Sequence, residues 1–438
     1  MILGFEPSHL DRMNAIHCAG TNGKGSVCAV ANHLLNCYRD IYGWPTAIGL
    51  YTSPHLSSVC ERFRVNGTII SEDMFAKCFF EVYQKLEASE VPLAEFPSYA
   101  RFLTLVALHL FDSVGVDAAI IETGIGGKFD STNVFDQPKV TVISEISRDH
   151  TISLGDTLEE ISQHKSGIFK PQCPAISVQQ KKVVEDTLRQ RAEEKDVHLD
   201  FVGIHKALQG SSMNEIQLRN ASAGIISVER FLSSFGRSLE LDEEELVRIA
   251  EHAQLPGRFH KLVQGDITWC IDGGHNEGAL EVSSEWFAQL VKEKEAWDSY
   301  QVVLIFNQES VRDVRQLLRT IHRVVYKYDL HFSHAIFCTN AVRASDVNQL
   351  DLVDLNKDIR RIERLVGQNE NAAFWRKDLD QNTVVHVRRT IEEAMEIVLR
   401  VGKGQIVKVF ATGSLRIAGG LIDCLKIEET LDGAHLRV

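Results

Sequence analysis

His17-Cys-Ala-Gly-Thr-Asn-Gly-Lys-Gly-Ser26 is the stretch on which the fold turns. Asn14–Ala19 is an apolar run of strand length, and Ser26–Tyr38 carries its apolar residues at helical spacing. A glycine-rich link from strand to helix is the setting of a phosphate-binding loop. Gly20, Gly23 and Gly25 let backbone N–H groups approach oxygens that a Cβ would keep away, with Thr21 and Asn22 in the same loop. The helix N-terminus adds about half a positive charge, Lys24 a full one, and Ser26 a hydroxyl suited to Mg²⁺. The loop is shorter than the usual G-x-x-x-x-G-K-[ST], and a plain glycine-rich turn with a solvated lysine is the competing reading.

Outward from the loop, Thr46–Tyr51 reads as a strand, Tyr99–Val114 as a helix leading into the β-branched run Val116–Ile121, and Lys139–Ile143 as another buried strand. Strands alternating with helices imply an α/β fold with a mostly parallel, doubly wound sheet. Pro256-Gly257-Arg258 punctuates the chain before a new strand at Ile267–Ile271. Gln301–Phe306, His334–Cys338 and Gln405–Phe410 follow as strands, with an amphipathic helix at Asp313–His322. The expected organisation is an ATPase-type domain over residues 1–257 and a smaller Rossmann-like α/β domain over 258–438. The polar stretch 351–382 is expected to be a long surface excursion.

A chain of 438 residues exceeds what one hydrophobic core usually serves. Its net charge of −13 argues against nucleic acid or an anionic membrane as the main partner. No apolar run approaches the roughly eighteen residues of a membrane span. The nine cysteines form no C-x-x-C pair, which fits a reducing compartment. Residues before His17 include Glu6 and Asp11 and lack a signal or transit pattern, so a cytoplasmic location is expected, with a mitochondrial isoform compatible.

Further candidates cluster around glycines and strand ends. Glu122 precedes Thr123-Gly-Ile-Gly-Gly127, where a hard carboxylate at the sheet edge suits Mg²⁺, or serves only a turn. His150, in Asp149-His-Thr151, is either a metal or phosphate contact or a structural histidine. Lys165 reads on its own as a solvated helix-end lysine. Arg258 can stabilise a transferred phosphoryl group and Asp272 can hold a ribose hydroxyl, or both serve a hinge ion pair.

Together these segments resemble the folylpolyglutamate synthase family of the Mur-ligase superfamily. The likeness runs from about Leu10 to Leu425 and includes Thr52-Ser-Pro-His-Leu56, Glu61-Arg-Phe-Arg-Val-Asn-Gly67, Leu154-Gly-Asp-Thr157, Lys165-Ser-Gly-Ile168, Asp272-Gly-Gly-His275 and Thr412-Gly-Ser-Leu415. It implies an ATP-dependent ligase that joins L-glutamate to a folate carboxylate through an acyl phosphate. It also implies that Gly20 to Ser26 hold ATP and that Ser26, Ser53, Glu122 and His150 serve Mg²⁺, with two ions expected; Lys165 matches the lysine that is carbamylated in many relatives. Asn220 matches an adenine-site residue, and Arg258, Asp272 and His275 match nucleotide contacts. A monomer is implied.

The chain departs from the family at Asn22, where its eukaryotic members usually have Lys, and at Ile216 and Gly274. Asn307-Gln-Glu-Ser310 stands in place of an Asn-Ala-Thr-Gly-type stretch. These leave two alternatives: dihydrofolate synthase or a paralogous ligase for a non-folate carboxylate, and a nucleotide-binding protein without turnover.

Overall fold

The structure, a computed structural model, describes residues 4–89, 92, 95–253, 255–292, 300–308, 313–343 and 364–425. They form two units, one made of residues 4–55 with Cys60–Leu255, the other of Leu56–Val59 with the residues from Pro256 onward.

The first unit carries β1 (Ile16–Ala19), β2 (Ile48–Tyr51), β3 (Phe63–Val65), β4 (Thr68–Ile69), β5 (Ala118–Glu122), β6 (Val140–Ile143), β7 (Ala175–Val178) and β8 (Leu199–Val202). Their order is β4-β3-β2-β5-β1-β6-β7-β8. All neighbours from β2 to β8 are parallel, and β3 and β4 close one edge antiparallel. The central strands are buried throughout, which explains their continuous apolar runs. Register sets Cys18 opposite both Glu122 and Val142, so β1, β5 and β6 end level with one another. The loops after these strands therefore emerge side by side.

The helix Lys24–Tyr42 buries Val27, Val30, Ala31, Leu34 and Leu35 in the core it shares with the helix Glu215–Ser233. Each Val or Leu among these contributes about 1.5–3 kcal/mol when fully buried. The two helices approach closely because Gly224 has no side chain: a Cβ there would lie 2.7 Å from Val30 Cβ.

The second unit contains β9 (His260–Gln264), β10 (Ile267–Ile271), β11 (Tyr300–Phe306), β12 (His334–Phe337), β13 (Val384–Val387) and β14 (Ile406–Thr412), ordered β13-β12-β11-β14-β10-β9. Only β9 pairs antiparallel. Alternation along β11 sends Val302, Leu304 and Phe306 to a core with helices Glu277–Lys292 and Val314–Lys327. Val303 and Ile305 go to the opposite core, with Ile391–Val401 and Leu415–Cys424.

The surface excursion expected over 351–382 needs correction. Its residues up to 363 lie outside the described residues, but Val366–Phe374 is helical, and Phe374 and Trp375 are buried in the core. A few apolar residues anchor this segment, and the many polar ones around them masked it.

Candidate active site

The loop after β1 is held from several sides. Gly20 has φ +154°, and a Cβ there would lie 1.9 Å from Ser144 Oγ. Thr21 N–H and Asn22 N–H donate to Glu145 O at 2.7 and 3.2 Å. The Asn22 amide donates to Glu145 Oε2 at 2.9 Å and Ser147 Oγ at 3.1 Å. Gly23 closes the loop with φ +87°, and a Cβ on it would meet Asn220 Oδ1 at 2.3 Å. No side chain caps the helix that starts at Lys24, so its first N–H groups remain available to an anion. The segment is a built loop, not a plain turn.

Lys24 is mostly covered. Its Nζ donates to Gly20 O and Thr21 O at 3.2 and 3.3 Å and lies 4.0 Å from Glu122 Oε1. Glu122, 4% exposed, ends β5, and its Oε2 accepts the Ser53 N–H at 2.9 Å. Ser26 stands in the first helical turn, half-buried. A buried carboxylate that accepts the Ser53 N–H, at the strand end facing this loop, offers a hard oxygen suited to Mg²⁺. Among the described residues no three His, Cys, Asp or Glu side chains converge as ligands.

Asp130 shapes the loop after Glu122. Its Oδ2 accepts Gly124 N–H and Ile125 N–H at 3.0 and 3.1 Å, and its Oδ1 accepts Thr132 N–H and Oγ1–H at 2.9 and 2.6 Å. Thr132 Oγ1 also lies 2.9 Å from Nε2 of buried His17, whose pKa burial lowers to about 3, so that ring is neutral. Reading the sequence missed Asp130, although Asp-Ser-Thr-Asn after two glycines is a turn signal.

Lys165 departs from its bland reading: it is 3% exposed, not solvated, and its Nζ donates to Gly20 O. Burial, aided by the nearby Lys24 charge, lowers its pKa to about 7, while Asp149 and Asp130 oppose the shift. A Cβ on Gly127 would lie 2.6 Å from Lys165 O, so glycine brings the loop after β5 against this lysine. His150 lies in the left-handed region at φ +52°, at the N-cap position of the helix Thr151–Leu154, with no capping bond from its side chain. Its Nε2 is 3.9 Å from Asp149 Oδ2, and its side chain is partly exposed. The geometry thus gathers Gly20, Lys24, Glu122, Ser53 and Lys165, and sets His150 beside Asp149.

Asn220, 6% exposed, abuts the loop at Gly23 from the neighbouring helix. Arg258, Asp272 and His275 belong to the second unit. Asp272 directly follows β10, is buried, and accepts Phe259 N–H at Oδ2 (3.0 Å) and Gly274 N–H at Oδ1 (2.9 Å). Burial raises its pKa, and the Arg258 charge opposes that. His275 Nδ1 lies 3.1 Å from Gly273 O. Of Asn307-Gln-Glu-Ser310, Asn307 and Gln308 are buried, while Glu309 and Ser310 lie outside the described residues.

No protein-family model matches the chain. It is 36% identical over 449 residues to the folylpolyglutamate synthase of Neurospora crassa, covering 98% of this chain and 84% of that protein. It is also 36% identical to the probable folylpolyglutamate synthase of Schizosaccharomyces pombe, covering 96% and 85%. Among solved structures, Mycobacterium tuberculosis folylpolyglutamate synthase complexed with ADP and AMPPCP superposes with a TM-score of 0.72 at 22% identity, covering 96% of this chain and 92% of that one. E. coli FolC in complex with DHPP and ADP gives a TM-score of 0.70 at 22% identity, covering 96% and 91%.

Proposed function

The chain belongs to the folylpolyglutamate synthase family, and from that premise we propose that it adds L-glutamate to the γ-carboxylate of tetrahydrofolate and its polyglutamates. It is an ATP-dependent, amide-forming ligase. The observation that carries the reading is the constellation around Gly20: an uncapped helix start, Lys24, the Glu122–Ser53 pair and buried Lys165.

The acceptor carboxylate oxygen bonds to the γ-phosphorus as the bond to the ADP oxygen breaks, giving ADP and an acyl phosphate. Loop N–H groups and Lys24 hold the phosphates and offset the charge that develops on them. The glutamate amine then attacks the acyl carbon. The tetrahedral intermediate expels phosphate, which keeps one oxygen from the carboxylate, and the amine proton passes to solvent. Positioning alone can supply roughly 7–11 kcal/mol of such a barrier.

Mg²⁺, when bound, would neutralise phosphate oxygens as a Lewis acid. Ser26, Ser53 and Glu122 would hold it, with His150 as a near ligand, and two ions are part of the proposal. Lys165 is suited to carbamylation because an amine titrating near neutrality offers CO₂ its free base, and the carbamate would face the second ion. Asn220 would lie toward the adenine. Residues 1–257 would bind ATP, and 258–438 would receive glutamate and supply Arg258, Asp272 and His275 to the nucleotide. Each Asp272 oxygen keeps a lone pair for a ribose hydroxyl beyond the N–H it accepts. A cytoplasmic monomer is proposed as the working form. Among the described residues no helix is long and apolar enough to cross a membrane.

Transfer of ¹⁸O tests the chemistry: a γ-carboxylate labelled in the folate should deliver one ¹⁸O to the released phosphate. Unlabelled phosphate alongside labelled amide product would exclude the acyl phosphate.

A further inference from the structure

The carboxyl ends of β10, β11, β12 and β14 meet at a set of buried side-chain amides. Gln308, just past β11, donates from Nε2 to Gly413 O at 2.8 Å and to His275 O at 3.4 Å. It thereby bridges the turn after β10 and the turn after β14, which are also joined by Gly413 N–H to Gly274 O at 3.0 Å. Behind it, Asn307 donates to Asn340 Oδ1 at 2.8 Å and accepts from Gln368 at 3.1 Å. Ser414, which caps the helix Leu415–Cys424, donates to the same Asn340 oxygen at 3.4 Å. None of these four amides is more than 9% exposed.

The place is a topological reversal. The chain runs from β10 through β11 and β12 to β13 at one edge, then returns to insert β14 between β11 and β10. In open α/β sheets ligands bind outside the strand ends at such a point. A buried amide is costly unless its hydrogen bonds are made, and here they are made to the two turns that border the reversal. Alanine, which the family's Asn-Ala-Thr-Gly-type stretch places here, would remove that donor from both carbonyls. The two bonds fix the Gly413–Ser414 turn against the His275 turn.

We propose that Gln308 is a positioning residue for the amino-acid substrate, holding these two turns at the separation that binds its charged backbone groups. The inference rests on the reading that the second unit receives glutamate. It also gives the altered motif a role in amine binding, leaving the choice of folate acceptor elsewhere.

Steady-state kinetics on the full chain test it with Gln308→Ala and with Gln308→Met, which keeps the volume and loses the donor. Both should raise KM for L-glutamate about tenfold, the equivalent of about 1.4 kcal/mol. KM for the folate should stay within about twofold, and KM for ATP should rise less than KM for glutamate, because Gln308 holds the His275 carbonyl and not its ring. Wild-type KM for glutamate in the Met variant would overturn the proposal, and so would a parallel rise in all three constants with a fall in Tm. Wild-type protein is assayed first: turnover that does not depend on glutamate would remove the premise and the proposal with it. A glutamate-dependent wild type with an unaffected variant would sink the proposal alone.

Discussion

Replacing Gly23 by alanine tests how tightly the phosphate loop is built. At φ +87° an L-residue sits in the left-handed region, at a cost of about 1–2 kcal/mol. The added Cβ would also lie 2.3 Å from Asn220 Oδ1 and 2.8 Å from its Cγ and Nδ2, and Asn220 is closely packed, being only 6% exposed. Overpacking of that kind costs about 1–3 kcal/mol. The sum is roughly 2–5 kcal/mol, or about 4–20 °C in the melting of a unit this size. The two contributions separate in a double-mutant cycle: Gly23→Ala with Asn220→Ala should recover the overpacking share and leave the backbone share. Differential scanning calorimetry reads both. A single mutant that melts with wild type, or a double mutant whose loss equals the sum of the single losses, would refute the close fit.

The same geometry sets other outcomes. Lys24→Ala should cut turnover by roughly 100-fold or more, since it removes a full charge from the phosphates; an unchanged rate would disprove the loop assignment. Glu122→Gln should raise the Mg²⁺ concentration for half-maximal activity by about tenfold or more with the fold intact, because the hard charge is lost while the Ser53 N–H keeps an acceptor. The Lys165 amine titrates near 7 when folded and near 10.5 when unfolded. Between those values the unfolded chain holds a proton that the folded chain lacks, so stability rises with pH by up to about 1.4 kcal/mol per unit. In CO₂-free buffer Lys165→Met should flatten that rise between pH 7 and 9. Parallel melting profiles for the two proteins would show that the lysine does not titrate there.

Much of this was legible in the sequence because it is local. The β1 loop announces itself through glycines between a strand and a helix, and Ile267–Ile271 reads as a strand from its apolar run, with the same ends in the structure. Lys165 was not legible in its own segment. It closes an eight-residue helix with polar neighbours, and its partners come from distant strands: its Nζ donates to Gly20 O and its backbone abuts Gly127. Asp130 is a short-range clasp whose importance depends on the loop it folds. Gln308 illustrates the same limit: its partners, His275 and Gly413, are 33 and 105 residues away. Helix Val366–Phe374 was hidden for a different reason, since few apolar residues in a polar stretch suffice when Trp375 fills the core.

The most direct test of the central claim combines ATP, Mg²⁺ and L-glutamate with tetrahydrofolate, with dihydropteroate or with no acceptor, monitoring phosphate release and weighing the products by mass spectrometry. Phosphate release should need both glutamate and tetrahydrofolate, with a product one glutamyl unit heavier. A product only on dihydropteroate would contradict the acceptor assignment, and nucleotide binding without turnover on either would contradict the ligase itself.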